Sequence, residues 1–316
     1  MAYLPCELHC HTVNSDGKFT TKQLLQTASD DHLAIVALTD HNTISGYDEL
    51  DDSILPAIKG IEWTTYFGHM LVLGAKSFVD WRDAVPDNID EKINQVKSVG
   101  GVVGIAHPFQ FGSPVCTGGR WEFNIKNWRN VDYIEVWHGA FSEENTENDR
   151  ALALWTSLLD KGYHIACTYG RDWHSNDDNG HFGCTYIDFD GEVNEQNALK
   201  GIMMGKTVAS TGAKFFFRVH QKGKTYQIGE TLRRGIAVFS FFTDVHSRQK
   251  NAGNEAVEYK TVRLVTNGGE CVMQSALSER HISVNLKKNH WYRAELWGTV
   301  NGKERILAVT SPVYSA

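Results

Sequence analysis

No stretch of this chain is long and apolar enough for a membrane helix. The longest apolar runs, such as Ile236 to Phe242, fall far short of the roughly 20 residues that a bilayer requires. The opening residues Met1-Ala2-Tyr3-Leu4-Pro5-Cys6-Glu7 have neither the basic start nor the apolar run of a secretory signal. A protein without a membrane span, resident in the cytoplasm, is the expectation that follows. Cysteine is sparse: Cys6, Cys10, Cys116, Cys167, Cys184 and Cys271 include no Cys-x-x-Cys pair, which argues against a zinc ribbon or a thioredoxin-like redox site. They are expected to be reduced thiols, several of them in the core. There is no internal repeat, no low-complexity linker, no legible heptad and no dense Lys/Arg run. With a net charge of −7, a long nucleic acid is disfavoured as main partner.

What is present is an ordinary globular composition, 41% hydrophobic and 22% charged over 316 residues. That length suggests one domain of about 200 residues plus a smaller one. Charge is uneven: residues 1–212 hold 15 basic against 30 acidic side chains, and residues 213–316 hold 16 against 8. Two parts of opposite sign can complement each other across a shared interface, and that reading is favoured over a basic module for an anionic partner.

Up to residue 212, short β-rich apolar runs alternate with helical stretches, the pattern of βα units. Strands are predicted over 7–11, 34–39, 57–62, 70–73, 102–106, 133–137, 164–168 and 185–188, and helices over 21–31, 89–99, 145–161 and 194–203. From about Lys214 the pattern changes to closely spaced alternating segments separated by turns such as Asn267-Gly268-Gly269 and Asn301-Gly302-Lys303. An antiparallel β-sandwich over 213–316 is the economical interpretation.

Histidines and carboxylates collect at the ends of the predicted strands, where a βα fold presents its loops. His9 and His11 are two apart on a strand, so both imidazoles project from one face and can share a metal, while Cys10 points away into the packing. Asp16 follows in a turn. Asp40 and His41 end the second strand, Glu62 the third, and His69 opens the fourth. His107 ends the strand over 102–106, and Asp172 and His174 follow the strand over 164–168. A lone histidine or acid at a strand end is usually a cap or turn former. A whole series of ligand types on one rim points to metal binding.

In this order, His9-x-His11, Asp16, Thr39-Asp40-His41, Glu62, His69, His107-Pro108 and Asp172-x-His174 resemble the four-motif signature of PHP-domain (polymerase and histidinol phosphatase) metallohydrolases. The resemblance covers roughly residues 5–210. It implies a distorted (β/α)7 barrel with two or three divalent metal ions, Zn, Mn or Fe. One metal would lie among His9, His11, Glu62 and Asp172, and Glu62 would bridge to a second that also takes His69 and His107. A third would be held by Asp16, His41 and His174. The residues after 213 are similar, more weakly, to the β-domain appended to some PHP proteins.

The implied reaction is attack of a metal-bound hydroxide on the phosphorus of a small phosphorylated metabolite or nucleotide. Three further residues are candidates for direct roles. Asp40 is placed to orient a histidine or relay a proton, Arg171 to meet a phosphate, and His138, ending the strand over 133–137, to donate to substrate or act as an acid. Gly118 to Phe123 form a Trp-bearing connection of the kind that walls a substrate site or simply packs. The competing readings are a metal-dependent amidase, carbamate or ester hydrolase, and a binding module whose β-sandwich recognises a glycan or protein.

Overall fold

The computed structural model describes residues 2–112, 118–140, 146–176, 183–247 and 256–316. Cys116 and the first residue of the helix predicted over 145–161 lie outside them. Among the described residues, the first part contains nine strands: β1 (Ala2–Cys10), β2 (Ile35–Leu38), β3 (Ala57–Thr65), β4 (Gly68–Leu73), β5 (Val102–Ile105), β6 (Tyr133–His138), β7 (Ala166–Gly170), β8 (Cys184–Phe189) and β9 (Thr207–Ser210). Four helices accompany them: α1 (Thr21–Asp30), α2 (Ile89–Ser98), α3 (Thr146–Asp160) and α4 (Glu195–Met203). Helix α1 starts where the sequence says it should, because Thr20 and Gln23 satisfy each other's amides in a capping box.

These strands line up in the order β9-β8-β1-β2-β3-β4-β5-β6-β7. The pairs β1–β2, β2–β3, β5–β6 and β6–β7 are parallel, but β3–β4, β4–β5, β1–β8 and β8–β9 are antiparallel. The sheet is therefore mixed, where regular βα alternation predicted parallel strands. Only Tyr66 and Phe67 connect β3 to β4, and so short a link permits a hairpin but not a crossover. The sheet curls back on itself: Trp173, beyond β7, exchanges backbone hydrogen bonds of 2.9 Å with His9 and His11 at the end of β1.

The second part contains β10 (Lys214–Gln221), β11 (Lys224–Gln227), β12 (Thr231–Leu232), β13 (Gly235–Asp244), β14 (Val257–Thr266), β15 (Glu270–Ala276), β16 (His281–Leu286), β17 (His290–Val300), β18 (Lys303–Thr310) and β19 (Val313–Ser315). A four-stranded sheet, β11-β10-β13-β16, faces strands β14, β17 and β18. Phe215, Phe217 and Phe239 belong to one buried cluster with Leu264, Tyr292 and Leu296. Burial of large aromatics dominates such interfaces.

The two parts share more than a boundary. Strand β18 pairs antiparallel with β9, so one sheet runs through both. The same cluster that holds Phe215 also takes Leu25 of α1 and Trp173. Arg305 of β18 forms a two-pronged pair with Asp149 of α3 at 2.8 and 3.1 Å, joining opposite charges from the two parts. The strand predicted over 164–168 begins two residues later, because His164 instead stacks on Tyr314 of β19 with ring centroids 3.5 Å apart. Among the described residues, no helix is long and apolar enough to cross a membrane.

Candidate metal centre

All nine residues anticipated as ligands converge on one rim, and Glu62 is its centre. Its buried carboxylate lies 2.9 Å from His69 Nδ1, 3.2 Å from His107 Nε2, 2.7 Å from His41 Nδ1, 3.3 Å from His9 Nε2 and 3.5 Å from His11 Nε2. Asp172 Oδ1 lies 2.8 Å from His11 Nε2 and 3.3 Å from His9 Nε2. On the outer side, Asp16 Oδ1 is 3.1 Å from His174 Nε2 and 3.4 Å from His41 Nε2. The donor atoms fall into groups small enough to enclose a cation: His9, His11, Glu62 and Asp172; Glu62, His69 and His107; and His11, Asp16, His41 and His174.

The donor set passes a test of fit to metal ions. Ligands bound at 2.0–2.2 Å in a tetrahedral shell lie roughly 3.4 Å from one another, with lone pairs aimed at the ion rather than at each other. Three cross-distances have about that size between atoms that make no hydrogen bond: His9 Nε2–Glu62 Oε2 and His9 Nε2–Asp172 Oδ1 at 3.3 Å, and His11 Nε2–Glu62 Oε2 at 3.5 Å. His9 Nε2, His11 Nε2, Glu62 Oε2, His69 Nδ1 and Asp172 Oδ1 are all buried without a hydrogen-bond partner. Buried polar atoms are rarely left so, and a shared cation would satisfy them. Backbone strain is also present at this site. His107 and Asp172 have φ of 26° and 53°, in a region that costs non-glycine residues about 1–3 kcal/mol and persists where function demands it.

Titration follows from this geometry. Burial opposes charge on Glu62 and Asp172, yet the neighbouring histidines hold both well below the usual carboxylate range. Desolvation pushes His107 down to about 4. For His41, desolvation is outweighed by the adjacent carboxylates of Asp16 and Glu62, which raise it to about 10. Without a cation, His41 is therefore protonated at neutral pH. Its pairing stabilises the fold fully below the ordinary histidine value of about 6.5, and that contribution is lost as pH rises through about 10. Metal binding needs the neutral imidazole, so loading is expected to release protons near pH 7 and to strengthen with rising pH. Calorimetric titration of zinc in buffers of different ionisation enthalpy measures this, and a buffer-independent heat would contradict it.

Three buried acids that are not in the nine hold the rim in place. Glu135 of β6 lies 2.9 Å from His9 Nδ1 through Oε1 and accepts the His107 amide at 2.9 Å through Oε2. It thereby orients ligands from two different groups, as outer carboxylates do for metal-bound histidines. Its carboxylate occupies space that only Gly170 leaves open, since a Cβ there would lie 2.0 Å from Oε1. Glu7 accepts the amides of Leu8, His9 and Arg171 at 3.0 Å each, bracing β1 against the segment after β7, and burial raises its pKa to about 7. Asp40 accepts from the Thr12 amide, the Thr12 hydroxyl and the Ser15 hydroxyl at 2.6, 2.8 and 2.8 Å, fixing the loop that carries Asp16. Sequence reasoning missed Glu7 and Glu135. Their signal was a carboxylate inside an otherwise apolar strand, which is rarely buried without a purpose.

The remaining candidates separate. His138 joins the rim, with Nε2 3.0 Å from Asp172 Oδ2 and its ring centroid 4.6 Å from that of His107. Arg171 is directed elsewhere: its guanidinium lies 3.9 Å over the Trp173 ring and 3.5 Å from Asp31. In that placement its guanidinium packs within the protein. Arg171→Ala is expected to lower Tm by about 2 °C through the lost cation–π contact and to leave metal content and KM unchanged. A raised KM with unchanged Tm would restore the substrate role. Cys10 is fully buried in the apolar cluster, pointing away from its histidine neighbours as expected. In the connection from Gly118 to Phe123, Trp121 and Glu122 bond to the backbone of Pro108 and Phe67, so it packs on the β3–β4 hairpin.

The fold can be set beside known proteins. No family model and no curated protein matches this chain. Among solved structures, it shares its two-domain α/β fold with a Bacteroides vulgatus protein. That protein is described as a two-domain protein containing a predicted PHP-like metal-dependent phosphoesterase. The match covers 98% of this chain and 95% of that one, at 16% identity and a TM-score of 0.55. A putative metal-dependent phosphoesterase from Bifidobacterium adolescentis matches 62% of this chain and 95% of its own, at 19% identity and a TM-score of 0.40. An amidohydrolase from Chromobacterium violaceum covers 55% of this chain and 88% of its own, at 16% identity and a TM-score of 0.36.

Proposed function

We propose that this chain is a PHP-type metal-dependent hydrolase that cleaves small phosphate monoesters. The observation that carries this reading is the set of buried, partnerless donor atoms converging around Glu62 and Asp172. His9, His11, Glu62 and Asp172 would hold one divalent cation. Glu62, His69 and His107 would hold a second, and Asp16, His41 and His174 a third, with Zn, Mn or Fe compatible with such donors. When bound, such ions acidify a water and offset the charge of the phosphoryl oxygens. Three adjacent cation positions suit a dianionic phosphoryl group better than a neutral amide or ester carbonyl, which favours phosphate over the carboxyl alternatives.

The protein's own groups divide the remaining work. Glu62 holds the two inner cation positions in register, and Glu135 fixes the ring of His9 and the backbone of His107. Asp40 positions the loop of Asp16. His138, whose Nε2 lies 3.0 Å from Asp172 Oδ2, would be the general acid for the departing alkoxide. Residues 213–316 brace this arrangement by extending its sheet and core.

The test is metal content of the purified protein, together with turnover of an aryl phosphate and an aryl acetate before and after chelation. Two or three metals per chain with chelator-sensitive phosphatase activity is the expected outcome. Bound metal with hydrolysis of the acetate alone would replace this reading by the carboxyl-ester one.

A further inference from the structure

A recess of about 370 Å³ opens directly beside the rim, at the lower end of the size of small-molecule sites. It shares His107 and His138 with the site described above, so whatever fills it sits next to the reacting centre. Its other walls are of two kinds. Phe109 and Phe111 supply aromatic surface, and Phe111 is 56% exposed although it is a large apolar side chain at the edge of a cavity. Gln110, together with Glu147 and Asn148 from the first turn of α3, supplies the polar wall.

Asn148 is already committed. It accepts the His138 amide at 3.0 Å and donates to the His138 carbonyl at 3.2 Å, which fixes the end of β6 between rim and recess. Among the described lining residues, Glu147 is the carboxylate. The guanidinium of Arg150 lies 4.4 Å from the Phe109 ring centroid and is not among the lining residues.

From this lining we infer that the recess is the subsite for the organic part of the ester, and that it selects a flat ring bearing N–H donors or positive charge while rejecting a second anion. The inference rests on the phosphoesterase reading for the placement of the phosphoryl group at the rim. The physical grounds are the ring faces of Phe109 and Phe111, which favour a planar apolar body, and Glu147, which stabilises a donor or cation and repels a carboxylate or second phosphate. His107 and His138 join the two subsites, so the bond between phosphorus and the ester oxygen would lie over them.

The experiment separates binding from chemistry. Affinities of the manganese-loaded protein are measured by calorimetry for methylphosphonate, benzylphosphonate and its para-aminomethyl and para-carboxy derivatives, none of which is hydrolysed. Turnover is then measured for the corresponding benzyl phosphates, whose leaving groups are similar in basicity. The aminomethyl ligand is expected to bind at least about tenfold more tightly than the carboxy ligand, and benzylphosphonate about tenfold more tightly than methylphosphonate. Glu147→Gln should shrink the first ratio to about twofold and Phe111→Ala should shrink the second. Equal affinities across the series would overturn the subsite. Discriminating affinities without turnover of any ester would leave the subsite standing and overturn the phosphoesterase reading instead.

Discussion

Glu62→Gln is expected to lower hydrolytic activity on the order of a thousandfold, the several kcal/mol that bound metals contribute by stabilising transition-state charge. Glutamine keeps the shape and loses the negative charge that lies within 3.5 Å of five histidines. In the absence of metal, that charge helps to raise the pKa of His9 and of His41. In the loaded protein, it would be the ligand shared by two cations. The variant should bind no metal at the inner pair of positions, while the outer group of Asp16, His41 and His174 keeps its donors. Elemental analysis after dialysis measures this, with circular dichroism to establish that the fold persists. Full metal content in a folded Glu62→Gln protein would remove Glu62 from the centre of the site.

Glu135 should show the second largest effect, although it is not among the nine residues proposed as ligands. Glu135→Ala strips the acceptor from His9 Nδ1 and from the His107 amide, and outer carboxylates of this kind are worth about 10–100-fold in metal affinity. Gly170→Ala attacks the same carboxylate from the opposite side, since the new Cβ would sit 2.0 Å from Oε1. Gly170 does not occupy the left-handed backbone region, so backbone strain adds nothing and displacement of Glu135 is the whole effect. The two changes act on one group, so the double variant should bind metal no more weakly than the worse single variant. Competition with a chromophoric chelator gives the affinities. A Gly170→Ala protein that binds metal normally would show that the carboxylate has room to move, and additive losses would show that the two residues act separately.

The sequence by itself determined the candidate ligand types, their order and their placement at strand ends. His9 and His11 share a face because strand side chains alternate with a period of two, a local property that needs no partner strand. Asp40-His41, Glu62 and His107 stand where apolar runs stop, and such runs mark strands wherever the sheet is buried. The change of texture near Lys214 likewise marked the move from βα units to close-spaced strands.

Only the tertiary structure decided how these pieces meet. Whether β3 to β5 run parallel or antiparallel depends on which strands pair, and that is set by global packing as much as by the local pattern. Glu135 and Gly170 are 35 positions apart in the chain, and nothing in either segment shows that one leaves space for the other. Arg171 shows the converse: adjacency to Asp172 suggested a phosphate contact, but its backbone answers to Glu7 and its guanidinium to Trp173 and Asp31. Local periodicity fixes the face from which a side chain leaves its strand. The direction in which a long side chain ends is set by the neighbours that compete for it, and those neighbours exist only once the sheet has curled and the second part has closed against the first.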